Sequence, residues 1–321
     1  MAAIGEFDLI ARWFTRPARR AALGVGDDCA LLNLAPGMQL ATSSDMLVEG
    51  RHFLSTVAPE RLGHKALAVN LSDLAACGAR PLAFTLALAL PRVDAQFLDG
   101  FSRGLLALAD EHDCELVGGD TTQGPLNLCI TVFGEVPPGQ ALLRSGAHDG
   151  DEIWVSGTLG DARLALEVFR GNLALAGDAF EQVRTAMELP TPRVALGTAL
   201  RGIATSAIDL SDGLLGDLAH ILKRSNAGAT LLVDALPRSA VLAALPLALQ
   251  RTCTLAGGDD YELLFTAPPS QAAAVRAAAQ AAGVAVTRIG HITPAAPGLQ
   301  LVDGDGAAVD QRFAAFDHFK S

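Results

Sequence analysis

The chain has 321 residues, with 24 Lys+Arg against 35 Asp+Glu for a net charge of −11; half of it is hydrophobic and only 18% is charged. A chain this long and apolar buries a sizeable core, which excludes a disordered or low-complexity protein. The acidic balance excludes electrostatic binding to nucleic acid or to an anionic membrane, but not an anionic small molecule, because metal ions reverse the sign of a site locally.

Residues 6–14 predict a short amphipathic helix, followed by a Gly-rich turn at 24–28. Residues 39–45 have strand character and end in polar side chains. Over 59–77, Leu62, Ala66, Val69 and Leu74 recur at helical spacing, with Gly78 just past the end. Large and small residues alternate over 82–90, which predicts a strand. A helix is expected over 94–113, then strands over 115–117 and 126–136 around a Gly-Gly-Asp turn. Pro137-Pro138-Gly139 and the turn at 149–151 mark a boundary, giving domains 1–148 and 149–321. The second half predicts strands at 153–156, 206–209, 261–266, 284–289 and 299–302. Its helices follow Gly160, open at Pro192, and span 214–224 and 271–282. Strand–helix alternation in both halves predicts an α/β (α+β) fold.

Cys29, Cys77, Cys114, Cys129 and Cys253 are odd in number and lack CxxC spacing. They read as free thiols of a reducing compartment, hence a cytoplasmic protein. No basic n-region precedes an apolar core at the start, and the 81–91 stretch is too short to span a bilayer.

The aspartates carry the chemistry. Six short stretches place Asp beside Gly, Ser or Thr: Gly26-Asp27-Asp28, Ser43-Ser44-Asp45, Leu71-Ser72-Asp73, Gly118-Gly119-Asp120, Asp209-Leu210-Ser211-Asp212-Gly213 and Gly257-Gly258-Asp259-Asp260. Asp, Gly and Ser are also ordinary turn and cap residues. Asp73, however, sits in a helical pattern on the same face as Asn70, and both are poor core residues unless paired or metal-bound. Oxygen donors of this kind suit Mg²⁺, which is held by a few carboxylates, waters and substrate phosphates. No Walker A loop, GxGxxG after a strand, kinase HRD/DFG pair, nucleophile elbow or HExxH is present. His52 reads equally as a surface-loop residue, Arg144 as a rim charge, and Lys65 as part of the solvated face of its helix.

Residues 5–14, 24–32, 43–53, 65–81, 116–126, 144–162, 207–214, 257–266 and 316–319, among them LVGGDTTQGPL, AIDLSDGL, GGDDYELLFT and FDHF, together resemble the thiamine-monophosphate kinase family. That family lies within the AIR synthetase-like ATP-binding superfamily. The resemblance implies a two-domain AIR synthetase-like fold, a homodimer, and ATP-dependent phosphorylation of thiamine monophosphate to thiamine diphosphate with several Mg²⁺ ions. By position it implies metal contacts from Asp28, Ser43, Ser44, Asp45, Asp73, Asp120, Asp209 and Asp212, with Asp45, Asp73, Asp120 and Asp212 catalytic. It assigns ATP contacts to Gly119, Asp120, Arg144 and Ser211, and substrate contacts to His52, Asp259 and Phe316. Two positions depart from the family: Asp259 stands where Glu is frequent, and Phe316 where Tyr or Trp is. Another ATP-using enzyme of the superfamily, or a non-catalytic Mg-nucleotide-binding protein of the same fold, remain the alternatives.

Overall fold

The structure is a computed structural model that describes residues 5–296 and 298–309. The chain divides into two compact units. One runs up to Leu74 and resumes over Ala79–Gly139; the other comprises Ala75–Gly78 and the chain from Gln140 onward.

The first unit opens with α1 (Glu6–Leu9), which continues as a π-helical turn over Ile10–Phe14. Then come β1 (Gln39–Val48), α2 (Pro59–Ala76), β2 (Arg80–Leu90), α3 (Ala95–Glu111), β3 (Glu115–Gln123) and β4 (Asn127–Val136). The sheet has the order β1-β4-β2-β3. β4 is antiparallel to both β1 and β2, and β3 runs parallel to β2 across the α3 crossover. Leu67 and Leu71 of α2, Phe101 and Leu105 of α3, Phe84 of β2, and Leu128 and Ile130 of β4 are all buried. Helical spacing on α2 and α3 and alternation on the strands therefore meet in one apolar layer.

α2 and α3 approach until backbone meets backbone. A Cβ on Gly63 would lie 2.0 Å from the carbonyl oxygen of Phe101, and one on Gly104 1.8 Å from that of Glu60. These two glycines set the helix separation.

Two expectations need correction here. The Gly118-Gly119-Asp120 segment is no turn: β3 passes straight through it. Gly119, at φ +146°, makes this possible, since a Cβ there would lie 1.9 Å from the Leu86 carbonyl oxygen of β2. Nor does Lys65 lie on a solvated face. It is 3% exposed, and its Nζ donates to the carbonyl of His52 at 3.3 Å.

The second unit contains β5 (Glu152–Ser156), α4 (Asp161–Phe169), α5 (Gly177–Glu188), α6 (Val194–Ala199), β6 (Ser206–Asp209), α7 (Leu214–Ser225) and β7 (Ala227–Leu232). It continues with α8 (Ala240–Ala243), α9 (Leu247–Ala256), β8 (Leu263–Ala267), α10 (Ala272–Ala281), β9 (Val286–Pro294) and β10 (Leu299–Val302). The sheet order is β10-β7-β9-β5-β8-β6, with only the β10–β7 pair parallel. Leu214, Leu218 and Ile221 of α7 pack with Val155, Ile208 and Leu264 of the strands. Leu196 and Val275 of α6 and α10 pack with Trp154 and Phe265. Each unit is thus a mixed α/β body of the α+β kind. No helix among the described residues is long and apolar enough to cross a membrane.

Replacing Gly104 by Ala forces a methyl group into the Glu60 backbone. Urea unfolding is expected to show a loss of about 1–3 kcal/mol.

Candidate active site

In the first unit, β1 is an edge strand, and its pleat sorts the predicted residues. Ser43 and Asp45 are half-buried, whereas Ser44 and Met46 between and beyond them are exposed. Ser43 Oγ donates to Asp73 Oδ2 of α2 at 2.5 Å. The backbone N–H of Asp45 donates to Oδ1 of the buried Asn70, whose Nδ2 donates to the Ala66 carbonyl. Asn70 supplies an acceptor to a backbone N–H of an edge strand. One helix turn, Asn70 to Asp73, thus holds the Ser43 side chain and the Asp45 backbone.

Ser44 takes no part in that arrangement. Its hydroxyl lies 2.9 Å from Thr131 Oγ1 and 3.2 Å from the Ile130 carbonyl, on the alternate face of the strand. A period of two cannot place neighbours 43 and 44 on one ligand from the same face. Gly119 aligns with Asp45 across the sheet through Leu86 and Ile130. Asp120 is exposed on β3, at the opposite edge from β1. Three strand spacings separate those edges, about 14 Å. Asp28 is exposed, and its N–H bonds to Asp27 Oδ1 within the same turn.

His52 is tied into its own turn. Its Nδ1 accepts the N–H of Val48 at 3.0 Å, and its own N–H donates to the Val48 carbonyl. The ring therefore shapes the turn after β1, with Nδ1 already engaged.

In the second unit, Asp209 ends β6, buried, and pairs with Leu263 of β8. Beyond the strand ends the two loops continue together: Leu210 N–H donates to the Glu262 carbonyl, Tyr261 N–H to that of Leu210, and Asp259 N–H to that of Ser211. A Cβ on Gly258 would sit 2.5 Å from the Ser211 carbonyl oxygen, so this pairing needs the glycine. Asp217, in the first turn of α7, accepts the N–H groups of Asp212 and Gly213 through Oδ2. Burial, and then the nearby Asp212 charge, pushes the Asp217 carboxyl up to about 7 despite those bonds.

Asp259 and Tyr261 both have positive φ, 66° and 49°, and the Tyr261 hydroxyl donates to Asp259 Oδ1 at 3.1 Å. Between them, Asp260 Oδ1 accepts the Gly160 N–H at the start of α4. Burial holds the Asp260 carboxyl well above the usual carboxylate range. Arg144 is exposed in a segment that lies alongside β6, where Ala207 N–H donates to the Leu143 carbonyl. Phe316 lies outside the described residues. Sequence reasoning missed Asn70 as a backbone clamp and Asp217 as a loop anchor. The signal for Asp217 was an acid in the first helical turn after Asp212-Gly213.

Among the described residues no cluster of three or more His, Cys, Asp or Glu closes around one point. The donors are oxygens on separate elements, with open coordination. Such a set fits Mg²⁺, whose remaining positions go to phosphate and water.

This geometry has known counterparts. Residues 26–136 match the AIR synthase related protein, N-terminal domain, and residues 148–301 its C-terminal domain, so the class is that of the AIR synthase related proteins. The chain is 47% identical to the thiamine-monophosphate kinase of Salmonella typhimurium over 99% of both chains. It superposes with a TM-score of 0.84 on a crystal structure of the Stenotrophomonas maltophilia thiamine-monophosphate kinase, at 46% identity, over 94% of this chain and 95% of that one. A 28% identical structure, AaThiL complexed with AMPPCP and TMP, has a TM-score of 0.77 over 89% of each chain. The chain belongs to the thiamine-monophosphate kinases.

The ordinary carboxyl pKa of Asp217 is 3.8, and in the folded chain it rises to about 7. The folded state therefore holds this proton more tightly, and the stability that Asp217 contributes is lost as pH rises from about 4 to about 7. In Asp217→Asn this decline should be reduced, as measured by denaturation across that range without added divalent ions.

Proposed function

We propose that this kinase forms thiamine diphosphate by direct, in-line transfer of the ATP γ-phosphoryl group to the phosphate of thiamine monophosphate, with Mg²⁺ at the aspartate sites. The reading is carried by the oxygen-only donor set, Asp45 and Asp73 foremost, in a chain of the thiamine-monophosphate kinase family. The AMPPCP and TMP complex of the 28% identical AaThiL supports the substrate pair.

The acceptor needs no general base. A phosphate monoester has its second pKa near ~6 and is mostly dianionic at neutral pH. What opposes the reaction is repulsion between two polyanions, so positioning and charge neutralisation do the work. The chain holds only three lysines, and Lys65 is spent on a backbone carbonyl. When bound, Mg²⁺ would offset the negative charge of the phosphates. Asp45, Asp73 and Asp28 would hold it in the first unit, Asp209 and Asp212 in the second, and Asp120 at the far sheet edge. Ser43 orients the Asp73 carboxylate, Asn70 fixes the Asp45 backbone, and Asp217 fixes that of Asp212. Gly119, Arg144 and Ser211 are assigned to ATP, and Asp259 with His52 to the second substrate.

Incubation with ATP, Mg²⁺ and either thiamine monophosphate or thiamine tests the reading. Diphosphate should appear from the monophosphate alone; no product with intact ATP binding refutes the kinase in favour of a nucleotide-binding scaffold. Asp73→Asn should lower turnover by orders of magnitude while circular dichroism stays native. Isolation of a phosphorylated Asp or His on the reaction path would refute direct transfer.

The homodimer is part of the same proposal. The exposed face of β1 carries Leu40 and Met46, 50% and 55% exposed, in one alternating row, and a second copy would cover it. Sedimentation should give twice the chain mass of 33.2 kDa. The five cysteines are free, which supports a reducing, cytoplasmic setting.

A further inference from the structure

Residues 15–38 carry Asp28 but contain no helix or strand. Their order comes from a short hairpin and from two buried carboxylates at its feet. The Ala22 N–H donates to the Leu31 carbonyl at 2.8 Å and the Leu31 N–H to that of Leu23 at 2.9 Å. Gly26 turns the tip at φ +123°, and Asp27 and Asp28 stand exposed there.

Ahead of the hairpin, Glu115 at the start of β3 accepts three consecutive backbone N–H groups. Those of Arg19 and Arg20 reach Oε1, both at 2.9 Å, and that of Ala21 reaches Oε2 at 3.1 Å. Successive amides of this kind form a concave anion site, and here the chain's own carboxylate fills it. Behind the hairpin, Glu135 of β4 accepts the Ala35 N–H at 3.1 Å and is itself held by Arg80. Glu115 is 7% exposed and Glu135 2%, so both grips act away from water, where N–H to carboxylate bonds are strong. Arg16, Arg19 and Arg20 also meet Asp110 and Asp113, but those carboxylates are half exposed, and such pairs contribute little. The Arg19 guanidinium, 55% exposed, lies 3.4 Å from Glu115 Oε1. Ala21, Ala30, Leu32 and Leu34 pack on Leu82 and Val117 of the sheet while staying partly buried. Two of these four are alanines, so burial alone orders the stretch weakly.

Holding a stretch without regular structure in one place costs conformational entropy. A ligand group presented correctly for only a fraction of the time binds more weakly by that fraction. We infer that Glu115 is a positioning residue for the kinase reaction: through the amides of residues 19–21, with Glu135 closing the other foot, it sets where Asp28 is presented to Mg²⁺. The inference rests on the proposed function, in which Asp28 is a metal ligand. In this arrangement Glu115 acts through Asp28. Its loss should therefore change how much Mg²⁺ the enzyme needs more than the rate reached once Mg²⁺ is bound.

The test compares wild type, Glu115→Ala, Glu115→Gln, Asp28→Asn and the double variant Glu115→Ala, Asp28→Asn. Two quantities are read for each: the Mg²⁺ concentration giving half-maximal thiamine diphosphate formation, and the Mg²⁺ concentration giving half-maximal AMPPCP binding by calorimetry. Glu115→Ala should raise both about ten-fold, with most of the lost rate recovered at saturating Mg²⁺. Glu115→Gln keeps one carbonyl acceptor for the amides and should shift them less. On the Asp28→Asn background, Glu115→Ala should add no further shift, because the two act as one unit. Hydrogen exchange should show the amides of residues 19–21 protected in wild type and unprotected in Glu115→Ala. If wild type makes thiamine diphosphate but Glu115→Ala lowers the rate equally at every Mg²⁺ concentration, the positioning role is overturned and the kinase reading stands. Additive shifts in the double variant overturn it as well. If wild type makes no thiamine diphosphate, the reading beneath it fails. Should Glu115→Ala fail to fold, Glu115→Gln, alone and with Asp28→Asn, decides between the same outcomes through the same two Mg²⁺ concentrations.

Discussion

One constraint recurs in both units: the backbone beside an aspartate of the candidate site is held in place by a neutral or anionic side chain, at Asp45 in the first unit and at Asp212 in the second. Asn70 takes the N–H of Asp45, and Asp217 takes those of Asp212 and Gly213. Ser43 orients Asp73 through a hydroxyl. Away from these positions the molecule pairs acids with guanidinium groups in the usual way, as Glu135 does with Arg80 and Glu262 with Arg193. Where Arg80 sits beside it, the Glu135 carboxyl is drawn below its ordinary range; at Asp217, with no such partner, it is pushed up.

Close backbone approach is the second device. Gly119 against Leu86 carries β3 through an otherwise turn-like sequence, and Gly258 against Ser211 zips two loops together beyond the ends of β6 and β8. Tyr261 and Asp259 accept left-handed backbone in that zipped segment. Non-glycine residues in this region are strained by of order 1–3 kcal/mol each. The strain is borne by neighbours that fix the segment from both sides, the Gly160 N–H on Asp260 and the Tyr261 hydroxyl on Asp259.

Much of this was legible from the residues. Apolar spacing placed α2, alternation placed β2, and Asn70 and Asp73 were correctly read as sharing a helix face. Glycine misled at 118–119, because a glycine that permits strand contact has the same letters as one that permits a turn. Lys65 misled because its burial depends on an acceptor, the His52 carbonyl, supplied by a turn remote in sequence. β7 was invisible because a single left-handed Asn226 separates it from α7, leaving no loop to punctuate. Ser44 matched its motif by position, but the strand pleat turns it from Ser43 and Asp45.

That same pleat makes β1 a two-sided strand whose alternate residues answer to different masters. Ser43 and Asp45 face the helix that orients them, while Leu40 and Met46 face outward. A single-residue insertion or deletion ahead of Ser43 would exchange the two sets wholesale. An insertion would put Asp45 where Met46 now stands, and a deletion would bring Met46 to Asn70. Chemistry and surface character are thereby locked to one reading frame of one strand, so neither can drift in length without the other.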